Sequence, residues 1–311
     1  MANLFTITGN LLAETTCLFD APERGSTARA QSTSFGVGGK GVNVASAFNR
    51  IARKRPYAVV FPAGYTGKRC IASLREENFC RLLKFEISGE TRSGLVCRDS
   101  RRGGQTTFFT NDTPVLKPAF EAALAKIKSL ARDGDFLAFC GSFAGWENPY
   151  AAEIADLCAV KNMKLCVDTY GAPLAAFAKL SNVFLLKINA DELAMLDAET
   201  AADIMRPSAR KTAICNVVIT DSNRAVKARF GGDIFVFNPP RVEEKSPTCC
   251  GDVFLASAIF GFMQKLPAEE ILADSAARAS ASSEVYENAV WDESRAAALS
   301  GKIKISKKHF I

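Results

Sequence analysis

Between Pro118 and Asp221 the chain alternates two hydrophobic periods. In "AFEAALAKIKSLARDG", Phe120, Leu124, Ile127 and Leu130 form one helical stripe, and Gly134 stands after its end. The short run "FLAFCG" is apolar without alternation and predicts a strand buried on both faces. Helix "YAAEIADLCAVKN", strand "KLCVDT", helix "PLAAFAKL", strand "NVFLLKIN" and, further on, strand "NVVITD" continue the pattern. Fully apolar strands between helices predict a parallel sheet covered by helices on both sides.

Two stretches, about 10–37 and 86–113, lack helical period and carry short alternating runs such as "GLVCRD" and "TTFFTND". They predict a few strands outside the main sheet, forming a small lid over a site. The main strands end on Gly141-Ser142, Asp168-Thr169, Lys187-Ile188-Asn189 and Thr220-Asp221. In an open parallel sheet such carboxyl ends line the ligand-binding edge, although polar residues are also expected wherever strands stop.

Composition narrows the chemistry. The 311 residues are 48% apolar, enough for one large core. The net charge of +6 is mild and spread out, apart from Lys302, Lys304, Lys307 and Lys308, which read as a solvated end and give no case for nucleic acid. No apolar run approaches the roughly 20 residues of a membrane span, so no membrane partner is expected; the longest, Val253 to Met263, reads as a buried helix. The first residues lack a signal-peptide layout, and the ten cysteines sit in apolar settings without zinc-site spacing, so a cytoplasmic location is expected. A single histidine, His309, excludes the usual Ser-His-Asp and Cys-His arrangements. Chemistry here rests on carboxylates, lysines, arginines and backbone amides.

The segment "GVGGKGVNVASAFNRIA" sets Gly36, Gly38, Gly39, Lys40 and Gly41 at the start of a helix striped by Val42, Ala45, Phe48 and Ile51, where an anion is favoured. Its spacing fits neither a P-loop nor a dinucleotide fingerprint, and a plain turn explains it equally. "CCGD" stands at the head of the apolar helix "VFLASAIFGF", where Asp252 is either a first-turn acid or a base beside an anion. Asn189-x-x-Glu192 is either a capping box or a pair of oxygen ligands.

The order of these elements resembles the PfkB (ribokinase-like) carbohydrate kinases, above all the 1-phosphofructokinase and tagatose-6-phosphate kinase branch. "GGKGVNVA" is similar to the family's first signature and "CCGD" to the end of its second. "TITGNLLAE" puts Asn10 and Glu14 in the places of an Asn and an Asp, "KINADE" supplies Lys187, Asn189 and Glu192, and Thr91-Arg92 resembles a sugar-phosphate clamp strand. The resemblance implies a Rossmann-like three-layer αβα sandwich over residues 1–311, a single kinase domain with the β-lid inserted. It implies ATP-dependent phosphorylation of a sugar phosphate, fructose 1-phosphate or tagatose 6-phosphate, with Mg²⁺. Asp252 would be the base, and Cys249, Cys250 and Gly251 would form the anion hole. Glu14, Gly38, Gly39, Lys40, Asn43, Arg92 and Arg29 would bind the sugar phosphate, and Lys187, Asn189, Glu192, Thr220 and Ser222 would serve ATP and the metal. It also implies pairing of two chains through the lid's outer face.

Several positions depart from that pattern. Cys249 and Cys250 stand for glycine and alanine, Ser222 and Ala225 for two glycines, Gly94 for an asparagine, and "GSFAGW" lacks two prolines. A chain that binds sugar phosphate without efficient turnover is therefore a second reading, and a kinase for an unphosphorylated sugar or nucleoside a third, which the two arginines oppose. Thiols at a helix N-terminus have lowered pKa, so oxidation of Cys249 is expected to switch off activity.

Overall fold

Strands that are apolar at every position need cover on both faces, and the chain supplies it. The computed structural model describes residues 2–206 and 214–309. Its first half runs β1 (Leu4–Thr8), β2 (Leu12–Phe19), β3 (Ser32–Gly38), α1 (Lys40–Ala52), β4 (Tyr57–Val60), α2 (Gly64–Glu77), β5 (Arg81–Lys84), β6 (Ser93–Asp99), β7 (Gln105–Phe109), α3 (Lys117–Leu130) and β8 (Phe136–Cys140). It continues through α4 (Pro149–Val160), β9 (Lys164–Asp168), α5 (Gly171–Phe177), β10 (Val183–Asn189), α6 (Ala190–Ala194), α7 (Ala198–Ile204) and β11 (Asn216–Thr220). The remainder is β12 (Val226–Phe230), β13 (Asp233–Phe237), α8 (Cys250–Met263), α9 (Ala268–Ser283), α10 (Glu293–Ser300) and β14 (Ser306–His309).

The main sheet has the order β14-β13-β12-β11-β10-β9-β8-β1-β4-β5. From β11 to β5 neighbouring strands are parallel. Successive side chains on each strand point to opposite faces. Phe5, Ile7, Leu137 and Phe139 join α3, α4 and α5 in one core, while Leu4, Phe136, Ala138 and Cys140 join α1, α8 and α9 in the other. The result is the three-layer αβα sandwich. Helix α8 is apolar all round because it is buried all round, from Val253 through Ile259.

A second sheet, β3-β2-β6-β7, stands apart from the first. It is built from the two stretches that lacked helical period. Strand β3 feeds straight into α1 through Gly39 at φ 121, where a Cβ would lie 2.5 Å from Thr8 Cγ2. Only glycine fits that junction.

The sheet's antiparallel margin departs from the sequence expectation. "VKARF" and "DIFVF" form a hairpin across Gly231-Gly232, with Gly231 at φ 58. The lysine-rich end is not simply a solvated tail: β14 pairs antiparallel with β13, and Lys307 Nζ meets Asp233 Oδ2 at 2.9 Å. Among the described residues no helix is long and apolar enough to cross a membrane.

Candidate active site

The carboxyl ends of β8, β9 and β10 lie side by side, and the heads of α1 and α8 arrive at the same edge. Asp168, the last residue of β9, is wholly buried there. Its carboxylate accepts from Lys40 Nζ at 2.6 Å and from Lys187 Nζ at 2.8 Å. Burial pushes its pKa up, but the two ammonium groups outweigh burial and hold it below the usual carboxylate range. Lys40 also reaches Glu192 Oε1 at 3.1 Å. Burial disfavours its charge, yet Asp168, Asp252 and Glu192 around it prevail and raise its pKa. The ammonium is permanent at neutral pH.

Helix α8 begins on Cys249 in the left-handed region, at φ 67 and ψ −4. This conformation sets Cys250 and Gly251 in the first turn, whose backbone N–H groups have no helical partners. A Cβ at Gly251 would meet Lys187 Nζ at 2.5 Å, so any side chain there must push the lysine aside. The lysine's charge therefore lies directly against the helix start. Asp252 follows, 5% exposed, and accepts from Asn43 Nδ2 at 2.8 Å. Its pKa is pushed up to about 7, mainly by burial, with Lys40 opposing and the nearby Asp168 adding to the rise. A carboxylate poised near neutrality inside a cluster of fixed charges is suited to proton transfer.

The capping box of α6 is formed. Asn189 Oδ1 accepts from the Glu192 amide at 2.7 Å, and Glu192 Oε2 from the Asn189 amide at 2.8 Å. The cap and a ligand role are not alternatives, because the cap occupies Oε2 while Oε1 faces Lys40. Thr220 Oγ1 donates to the Ile188 carbonyl at 3.4 Å, and Ser222 holds φ 48 on the turn beyond β11.

The second sheet brings other groups. Glu14 on β2 accepts from Asn288 Nδ2 at 3.1 Å. The Arg92 guanidinium lies 5.1 Å from the Phe109 ring centroid, and its Nη1 is 3.3 Å from Asp112 Oδ1. Its Nε is buried without a partner among the described residues, a donor with capacity to spare. Thr91-Arg92 precedes β6 rather than lying on a strand, and Thr91 is a structural group: its buried hydroxyl accepts from the Ala63 amide at 2.8 Å. Gly38 ends β3 opposite Leu12. Arg29 is exposed on the loop between β2 and β3, outside this network.

Residues 10–288 match the pfkB family carbohydrate kinases. The chain belongs to that family. It is 25% identical over 282 residues to the 1-phosphofructokinase of Vibrio cholerae serotype O1, with 86% of this chain and 85% of that protein covered. It is 28% identical over 243 residues to the 1-phosphofructokinase of Borreliella burgdorferi, covering 75% of this chain and 76% of that protein. The fold is similar to that of phosphofructokinase-2 from Escherichia coli in complex with potassium, with TM-score 0.87, 18% identity, and coverage of 97% and 99% of the two chains.

Within this pfkB kinase the departures have physical readings. Cys249 and Ser222 hold positive φ, the conformation that glycine adopts without strain. The left-handed backbone at the head of α8 costs about 1 kcal/mol for a cysteine. The expectation of a reactive Cys249 thiol is corrected. The residue is buried, and burial, with Asp252 and Glu14 nearby, raises its pKa well above the ordinary thiol value. Desolvation outweighs the helix terminus and disfavours the reactive thiolate at this position. Asp168, the centre of the cluster, was legible only as a polar strand end.

Proposed function

We propose that this kinase transfers the γ-phosphate of ATP to a hydroxyl of a sugar phosphate, fructose 1-phosphate to fructose 1,6-bisphosphate, with tagatose 6-phosphate as the acceptor to test beside it. The observation that carries the reading is Asp252: a buried carboxylate with pKa near 7 at the head of a buried helix, flanked by Lys40 and Lys187. The names of the curated relatives support the acceptor.

In the proposed reaction the sugar hydroxyl oxygen attacks the γ-phosphorus and the bond to the β-phosphate oxygen breaks, releasing ADP. Asp252 takes the hydroxyl proton. The amides of Cys249, Cys250 and Gly251 and the ammonium of Lys187 stabilise the charge on the transferring group. Arg92 binds the acceptor's own phosphate, with Arg29 approaching from its loop, and Glu14 accepts from the sugar hydroxyls.

Asp168 and Glu192 present hard oxygens 2.6 and 3.1 Å from one ammonium, so this edge already holds a cation between carboxylates. Of these, Glu192, with Asn189 beside it, would hold Mg²⁺, partly through water; among the described residues no three acidic, histidine or cysteine side chains gather as a ready metal site. When bound, the ion neutralises charge on the phosphates. We read the second sheet as a lid; exposed Leu95 and Phe108, directly opposite across β6 and β7, support pairing of two copies through its outer face.

The test is coupled ADP release with fructose 1-phosphate and MgATP, beside calorimetric binding of each. Turnover that needs both ligands and is lost in Asp252→Asn upholds the reading. Tight sugar-phosphate binding without nucleotide binding or turnover would replace it with a binding protein on a kinase fold.

A further inference from the structure

The segment linking α9 to α10 has no part in the chemistry above, yet it touches three pieces of the site. Asn288 Nδ2 donates to Glu14 Oε1 at 3.1 Å, joining this segment to β2. The orientation of the amide follows from chemistry, because an ionised carboxylate only accepts. Next to it, Ala289 is buried at φ 56 and its backbone N–H faces the Cys249 sulfur. Two residues before Asn288, the Tyr286 carbonyl accepts from Arg98 Nη2 on β6 at 3.0 Å, and the Arg98 guanidinium lies 4.7 Å from the Tyr286 ring centroid. The segment is thereby tied to two adjacent strands of the second sheet and to the turn that starts α8.

Glu14 stands where the family resemblance puts the shorter aspartate. Its extra methylene adds a rotatable bond, and a half-buried glutamate without a partner would spread its carboxylate over several rotamers. One fixed hydrogen bond on Oε1 removes that freedom and leaves Oε2 open to accept from a ligand hydroxyl. We propose that Asn288 is a positioning residue for the acceptor sugar: its amide fixes the Glu14 carboxylate in the attitude that receives the sugar hydroxyls, from a segment that also braces the Cys249 turn. The inference rests on Glu14 as a sugar-binding group.

The experiment compares wild type, Asn288→Ala, Asn288→Asp, Glu14→Gln and the Glu14→Gln/Asn288→Ala double variant. It reads ADP release, calorimetric binding of fructose 1-phosphate, and melting temperature. Loss of a hydrogen bond to a charged group predicts an increase of about tenfold in KM and Kd for the sugar phosphate in Asn288→Ala. KM for ATP is expected within about twofold of wild type and kcat within about threefold, since the bond supports the bound sugar equally in the ground and transition states. Asn288→Asp, nearly isosteric, keeps the test alive if the alanine variant fails to fold, and is expected to raise the sugar KM further by facing one carboxylate with another. In the Glu14→Gln background, Asn288→Ala is expected to add less than about twofold. An unmoved sugar KM, equal losses for ATP and sugar, or the full effect persisting without the Glu14 carboxylate would each overturn the inference. A wild-type protein that neither binds nor phosphorylates a sugar phosphate overturns the kinase reading and this inference together; wild-type turnover with an unaffected Asn288→Ala overturns this inference alone.

Discussion

Asp252→Asn is expected to abolish turnover and at the same time stabilise the fold. The carboxyl is buried and its pKa is raised from 3.8 to about 7. A carboxyl with a raised folded-state pKa binds more protons folded than unfolded over that interval, so stability falls as pH rises through it. The interval is about 3 units, and at 1.36 kcal/mol per unit the ionised carboxylate costs the folded state about 4 kcal/mol above pH 7. Asparagine mimics the neutral form, and its carbonyl can still accept from Asn43. For a chain of this length the unfolding entropy converts that gain to about 6 °C in Tm. The assay is a thermal melt of wild type and variant from pH 5 to 8.5. The gap in Tm opens from about pH 4, so it is expected to be already present at pH 5, to widen up to pH 7 and to stay level above, while ADP release falls by about 10²- to 10⁴-fold, the usual loss with a general base. A gap that does not change with pH, or a variant that melts below wild type throughout, would refute the assignment of a strained, ionised base.

The other predictions follow from single contacts. Wild-type kcat/KM is expected to fall about tenfold per unit below pH 7, as Asp252 is protonated; a profile flat to pH 5 would place the base elsewhere. Arg92→Ala removes a donor whose Nε is buried without a partner among the described residues and should raise KM for the sugar phosphate about 10- to 100-fold, with KM for ATP little changed in the same steady-state assay. Gly251→Ala puts a Cβ within 2.5 Å of Lys187 Nζ, so the lysine must leave Asp168; kcat is expected to drop about tenfold or more while the Tm stays within a few degrees. Brief alkylation of the native protein, read by mass spectrometry, should label exposed Cys215 and spare Cys249 until denaturation, and peroxide that leaves Cys249 unmodified should leave activity intact.

Much of the architecture was legible because it follows from local periodicity. "FLAFCG" and "KLCVDT" could be stable only between two helical layers, and they became β8 and β9 at the centre of the main sheet. The two stretches without helical period became the second sheet for the same reason. The hairpin of β12 and β13 was equally open to reading, from the alternation in "VKARF" and the Gly231-Gly232 pair, but its place at the sheet margin was not, since pairing partners are chosen across long separations. The pairing of β14 was hidden by its lysines, which suit an exposed edge strand as well as a loose end.

At the site, sequence alone determined which groups exist: glycines at the head of α1, an acid in the first turn of α8, a cap pattern at Asn189 and Glu192, and one histidine remote from all of them. These depend on neighbours a few residues away. Tertiary structure decided what they do to one another. Asp168 became the centre because the head of α1, 128 residues distant, and β10, 19 residues distant, delivered Lys40 and Lys187 to one buried carboxylate. The same desolvation pushed the Asp252 pKa up to about 7 and raised that of the Cys249 thiol, which no spacing encodes. Asn288 met Glu14 across 274 residues. Charge, burial and distance act through space, and the chain order records them only after it has folded.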